Sequence, residues 1–245
     1  MRALSGQQIL QICELGAGQR PFDRALTILR VACPERSADE WAALPIGRRD
    51  AALLAIWQAT FGSWLKGYAE CPQCRTPLEF QMAAEEIARA GAAVPVAASH
   101  RLQVSGYELQ FRLPDSRDLS AVADCAGPDE ARSLWLRRCV LHADRDGAMA
   151  SIDELPAEVL TKLADYMLEC DPQAEVLLDF HCPACAHDWR EVLDIATFLW
   201  TEITARAKRL LREVHTLARA YAWGEAEILS MSAWRRQRYL EMAGA

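Results

Sequence analysis

A Cys-Pro-x-Cys tetrapeptide occurs twice in this chain, and the copies stand more than a hundred positions apart. Cys71 and Cys74 lie in Glu70 to Phe80 (ECPQCRTPLEF); Cys182 and Cys185 lie in Phe180 to Val192 (FHCPACAHDWREV). Each copy is followed by a short run that reads as extended. In a knuckle of this kind backbone N–H groups point at the first sulfur, and proline tightens the turn. Two knuckles supply the four thiolates that one tetrahedral zinc needs, at Zn–S distances near ~2.3 Å and with no open position. A simple ribbon spaces its knuckles by roughly fifteen to twenty residues. This chain must therefore leave at the first knuckle, make a long excursion, and return to close a split four-cysteine zinc ribbon. A closed thiolate site is structural, and it can contribute roughly 10–16 kcal/mol of apparent binding free energy to folding.

Other readings of the same residues stay open. The pairs could be two unconnected thiol pairs, or a redox CxxC. Two copies, neither in a strand-to-helix turn, weigh against the redox reading. A site using His181 or His187 with Cys182 and Cys185 would leave Cys71 and Cys74 without partners. The other five of the nine cysteines, Cys13, Cys33, Cys125, Cys139 and Cys170, are scattered. In a reducing compartment these read as buried small apolar residues.

The remaining sequence surrounds the knuckles with helices. Residues 5 to 68 read as helical. Ser5 caps a helix that ends at Gly16-Ala-Gly18, Pro21 opens a second that Cys33-Pro34 stops, and Ser37 caps a short third. A longer helix from about Arg48 carries Leu53, Leu54, Ile56, Trp57 and Phe61, with Gly62 and Gly67 loosening its end. After Phe80, an Ala-rich stretch to about Ala98 reads as a surface helix and linker rather than a core element. Leu102 to Leu113 alternates around Ser105-Gly106, a hairpin pattern. Helices follow at 118–125, 128–142 and 156–169, and short strands at 175–180 and 188–193 flank the second knuckle. From Ile195, Leu199, Ile203, Ala207, Leu210, Val214, Leu217 and Tyr221 recur at spacings of three and four, close to a heptad. Gly224 breaks that helix, a short helix covers Glu225 to Leu229, and Ser232 caps a last one to Met242.

The expected fold is therefore α+β and predominantly α-helical. It has an N-terminal helical region (1–68), a split ribbon (69–80 and 176–194), an insertion with a β-hairpin and helices (81–175), and a C-terminal long helix plus helical hairpin (195–245). A net charge of −7 disfavours global attraction to nucleic acid or an anionic membrane. No run approaches the ~18 uninterrupted apolar residues of a spanning helix, and Met1 to Leu15 is too polar for a leader. The expectation is a cytoplasmic protein.

No G-x-S-x-G, HExxH, Walker loop or GxGxxG occurs, and His100, His142 and His215 stand alone. Nothing assembles a nucleophile, base and orienting group, so the reading is non-enzymatic, without a small-molecule substrate. At the C-terminus, Arg235, Arg236 and Arg238 cluster beside Trp234 and Tyr239. They could face phosphate from a minimal helix-turn-helix. Alternatively, the segment is a hairpin that packs Trp223, Ile228, Leu229, Trp234 and Leu240. A third reading offers Trp223, Trp234, Arg235, Arg236, Arg238 and Tyr239 to a protein partner, since aromatics and arginine dominate interface hot spots.

Several stretches together resemble a known family. Leu210 to Met242 (LLREVHTLARAYAWGEAEILSMSAWRRQRYLEM) is similar to the C-terminal signature of T4-like phage baseplate hub assembly chaperones and baseplate proteins, found in tailed phages and phage-derived contractile injection systems. The resemblance extends to PFDRALTILRVACPE, LPIGRRDAALLAIWQATFG, the CPxC–PLEF knuckle, FRLPDSRDL, DPQAEV and CPAC-HDW–DIATFLWTEI. The family pattern has glycine after each CPxC and in the Tyr-Gly-Trp turn, where Arg75, Ala186 and Ala222 stand here. The resemblance implies a non-enzymatic role in assembling a baseplate hub, with hub or other tail proteins as partners. The alternative is a zinc-ribbon nucleic-acid-binding regulator using the C-terminal arginines.

Overall fold

The computed structural model describes residues 1–91 and 97–244. Helix α1 (Gly6–Gly16) starts at Ser5, whose hydroxyl accepts from the Gln8 amide while Gln8 returns a bond to the Ser5 amide. Such reciprocal capping satisfies two otherwise orphaned donors. Helix α2 (Pro21–Ala32) carries proline in its first turn, and α3 (Ala38–Ala42) repeats the capping box with Ser37 and Glu40. Helix α4 (Ile46–Phe61) begins two residues before the expected start, directly after Pro45.

The expected helical region ends at Phe61. Trp64–Glu70 is strand β1, antiparallel to β2 (Pro77–Ala83). Gly67 does not loosen a helix: it lies opposite Phe80, and a Cβ there would sit 2.3 Å from Phe80 Cζ. The glycine makes room for the ring. Helix α5 (Ala84–Gly91) is also more than a surface element, because Ala84 is fully buried and Ile87 and Ala88 pack on the core. The linker expected beyond it includes residues 92–96, which lie outside the described residues.

Strands β3 (His100–Val104) and β4 (Tyr107–Phe111) form the expected hairpin. Ser105 and Gly106 both have positive φ, as the favoured two-residue hairpin turn requires. Helix α6 (Ser116–Val122) follows, capped by Asp115, and then α7 (Pro128–Cys139). The helix expected to reach 142 stops at Cys139. Val140 instead opens β5 (Val140–Arg145), which pairs with β4, and β6 (Ala148–Met149) completes a sheet of order β3-β4-β5-β6. The apolar run through Val140 and Leu141 fits either period, and the partner strand decides it. Helix α8 (Ala157–Cys170) packs Val159, Leu163 and Met167 against this sheet.

Strands β7 (Leu177–His181) and β8 (Asp188–Val192) form a second isolated hairpin. Asp194 then caps α9 (Ile195–Tyr221) through the Thr197 amide and hydroxyl. Leu199, Ile203, Ala207, Leu210 and Leu217 of the expected stripe are buried. Ala222, in the left-handed region, ends α9; α10 (Glu225–Ser230) and α11 (Ala233–Met242) fold back on it. The fold is thus mixed α+β, mostly helical, with small sheets. Among the described residues no helix is long and apolar enough to cross a membrane.

Among the described residues there are two hydrophobic cores. The larger joins α1, α2, α4, Leu65 of β1 and α5 to the first half of α9. The smaller lies between the β3–β6 sheet and α8. Backbone and buried polar contacts join them: the Ile46 amide donates to the Pro114 carbonyl, and the Gly47 amide to Asp171 at 2.8 Å.

Candidate metal centre

The two knuckles are built by the same local device. The Cys71 amide donates to the Thr76 carbonyl and the Arg75 amide to the Cys71 carbonyl; in the second copy Cys182, His187 and Ala186 make the same pair of bonds. Arg75 (φ 63°) and Ala186 (φ 56°), each immediately after a CPxC, lie in the left-handed region. That turn brings the amide of the next residue back onto the second sulfur: Thr76 onto Cys74, His187 onto Cys185. These amides reach the second sulfur of each pair.

All four sulfurs lie within 4.8 Å of one another. Cys71 and Cys185 are 3.7 Å apart and Cys74 and Cys182 3.5 Å, so each knuckle pairs with the other across the site. A tetrahedron with metal–sulfur bonds of about 2.3 Å has edges of about 3.8 Å, so the cluster could hold a metal ion. Neither histidine belongs to it. His181 Nδ1 pairs with Asp188 at 2.7 Å, and the His187 ring lies parallel to Trp189.

Burial and charge are shared unevenly. Cys71 and Cys182, the first of each pair, are fully buried, while Cys74 is exposed. The Thr76 hydroxyl, 3.1 Å from the sulfur, and the Thr76 amide bring Cys74 down to about 6. At Cys185 the His187 amide pulls the same way, but desolvation and the three neighbouring thiols win and push it up to about 12. Four thiols packed together cannot all ionise unless a cation compensates them.

An aromatic ladder that sequence reasoning missed supports the cluster. Trp189 stacks on Phe180 (5.2 Å), which meets Phe80 edge-on (5.2 Å); Phe80 leans on Phe198 of α9 (6.4 Å), and Phe198 on Trp57 of α4 (5.5 Å). The residues come from five elements scattered along the chain. The sequence carried no signal for it, since only strand register sets Phe180 opposite Trp189. The ladder carries the position of the knuckles into the larger core.

The scattered cysteines divide. Cys33 and Cys139 are buried as expected, but Cys13, Cys125 and Cys170 are only partly so. The C-terminal residues also divide. Arg236 is not a surface residue: it is 4% exposed, bound to Glu213 at 3.0 Å and to the Met231 carbonyl. A guanidinium there locks α11 onto α9. Trp223 and Tyr239 pack with Tyr221 in an aromatic cluster. Trp234, Arg235 and Arg238 remain exposed, Arg238 over the Trp234 ring and paired with Glu241.

Fold and site together define a mixed α+β protein whose two cysteine hairpins, split by an insertion with its own core, close on one four-sulfur cluster. A family profile described as "T4 bacteriophage base plate protein" matches residues 22–200, well over half of the chain, and the protein belongs to that family. The matched span contains both knuckles and the whole insertion and ends within α9. Comparison with curated proteins and with solved structures returned no match.

Proposed function

We propose that the protein is a non-catalytic assembly factor or minor structural component of a phage-like contractile tail baseplate, binding hub or other tail proteins. Family membership over residues 22–200 carries this reading. The cluster takes one structural zinc in a split ribbon. Two features support zinc: an all-thiolate donor set and sulfur separations that suit a tetrahedral ion. With four protein ligands there is no vacancy for substrate. The zinc fixes the junction between the hairpins, the base of the insertion and the start of α9. The protein acts in the bacterial cytoplasm, where tails are assembled, or travels with the particle.

The C-terminal hairpin, with Trp234, Arg235 and Arg238 outermost, is one surface offered to a partner. The nucleic-acid alternative has less to stand on. Arg236 is consumed internally by Glu213, Arg238 pairs with Glu241, and Arg235 lies over Tyr239, so these three arginines do not form a free basic face.

Co-purification of the tagged protein with the tail proteins encoded beside it is the primary test. Retention of a hub or tail protein is expected. Normal baseplates in a strain lacking the protein would sink the reading. Metal analysis of the purified protein should give one zinc per chain, reduced in Cys182→Ser; two per chain would mean separate sites.

A further inference from the structure

We propose that the open groove between the two cysteine hairpins and the start of α9 docks a partner-protein segment in which basic residues adjoin apolar ones. This names a contact surface for the partner binding proposed above and rests on that reading. The groove has a volume of about 970 Å³ and is lined by residues of β1, β2, β7, β8 and α9. Its apolar surface comes from Phe80, Phe198, Tyr68, Leu178 and Val192. Tyr68 and Val192 are 62% and 58% exposed, so the groove leaves large apolar side chains open to solvent.

Charge identifies the occupant. Four carboxylates line the groove, Glu79, Glu191, Asp194 and Glu202, against one cation, Lys66. Asp194 is spent on capping α9, and Glu191 accepts from the Trp189 indole. The carboxylates of Glu79 and Glu202 have no hydrogen-bond or ion-pair partner among the described residues. Elsewhere on the same hairpins the acids are matched: Glu70 by Arg75, Asp179 by Arg190, Asp188 by His181. The groove is where the pairing stops. A segment carrying lysine or arginine would complete the pairs while its apolar residues cover Tyr68 and Val192. A small molecule fits less well, because the groove is open and no buried polar group converges on it. The walls come from distant parts of the chain, so the surface exists only once the cysteine cluster has brought the hairpins together.

The test presents the full-length protein to a displayed library of random peptides. Selected sequences should combine lysine or arginine with leucine or aromatic residues. Binding of a representative peptide should weaken about tenfold in E79K/E202K, with a shallower salt dependence. Tyr68→Ala should weaken it without changing the salt dependence. E79Q/E202Q, which neutralises without reversing, serves if the first variant melts early. Selection of neutral or acidic peptides overturns the proposal, as does equal binding by the charge variants. So does a concentration-dependent dimer that E79K/E202K abolishes, since a second copy would then fill the groove. Undiminished capture of a tail protein by E79K/E202K would overturn the groove while leaving the assembly role intact. Selection of basic–apolar peptides without capture of any tail protein would retain the groove and remove that role.

Discussion

The core around α8 draws all its buried residues from Tyr107 to Met167, whereas the core around α9 joins Leu4–Ala84 to Ile195–Leu210. The first can form from one contiguous piece of chain. The second needs the chain to return after the whole insertion, and ordering contacts across so long a loop carries an entropic cost before packing rewards it. The cysteine cluster stands at that return. Its first pair lies in the turn between β1 and β2, near the end of the outgoing segment, and its second pair precedes α9 by ten residues, from Cys185 to Ile195. The difference gives the four-cysteine cluster a place in the fold: it lies where the chain closes the core that the sequence separates.

Breaking that contrast directly should give the largest effect. Stripping the proposed zinc with a chelator, or Cys182→Ser, removes a constraint that structural zinc sites supply at roughly 10–16 kcal/mol of apparent binding free energy. Hydrogen exchange should then lose protection in β1, β2, β7, β8 and the first turns of α9. The β4–β5 pairing should keep its own. Uniform loss across both cores would show that the insertion does not stand alone.

The smaller core, around α8, has its own key at Asp118. Its carboxylate is fully buried and takes bonds from Arg112 at 2.6 and 2.8 Å, from Arg138 at 2.7 Å and from the Asp115 amide at 2.9 Å. Asp118→Ala removes the acceptor that two guanidinium groups share, leaving Arg112 the Leu113 carbonyl and a longer pair with Asp115, and should cost about 3 kcal/mol, read as a lower urea midpoint. Burial alone would raise the Asp118 carboxyl, but these donors outweigh it and bring it down to about 2. Its contribution is therefore complete above the ordinary carboxylate value near ~4 and is lost as pH falls through about 2. Asp171 at the joint between the cores behaves oppositely. Burial raises it despite the bond from the Gly47 amide, so the folded state takes up a proton before the unfolded chain does. That term adds stability as pH falls toward the ordinary value, and Asp171→Asn should abolish this gain.

The joint can be strained without touching charge. A Cβ on Gly47 would lie 2.2 Å from Asp171 Oδ1 and 2.7 Å from the Ala174 amide nitrogen. The second neighbour is backbone and cannot swing away. Gly47→Ala should therefore cost about 1–3 kcal/mol, with the loss concentrated where α4 meets the end of α8. A midpoint unchanged from wild type would mean that the two cores can slide apart freely.

What was legible in the sequence follows from range. Caps at Ser5, Ser37 and Ser232, the Ser105-Gly106 turn and the α9 stripe are local signals, and each element lies where its signal put it. The four cysteines were legible because a thiolate set has a fixed number. What failed depended on distant partners. Trp64–Tyr68 continues an apolar helix until β2 claims it as a strand, and Val140 does the same until β4 is beside it. The aromatic ladder could not be read at all, since five elements meet to form it. Arg236 looked like its neighbours Arg235 and Arg238; only the position of Glu213, a helix away, turns it inward.

The smallest effect concerns three residues where the family resemblance has glycine. Arg75, Ala186 and Ala222 all adopt positive φ, at 63°, 56° and 56°. Side chains are tolerated there at a cost of about 1 kcal/mol each, because Cβ crowds the following carbonyl. Glycine would relieve that cost and give back part of it through greater freedom of the unfolded chain. Arg75→Gly also gives up the exposed pair with Glu70, which counts for little. Each substitution should raise stability by a few tenths to about 1 kcal/mol. The comparison between cores is sharpened by where the gain appears. Arg75→Gly and Ala186→Gly act on the closure itself, so they should tighten metal retention in a chelator competition. Ala222→Gly acts only on the end of α9 and should raise the melting temperature while leaving metal retention unchanged. Equal effects on metal retention from all three would mean that the knuckles are no more strained than a helix end, and that the cluster closes the larger core without local help from its turns.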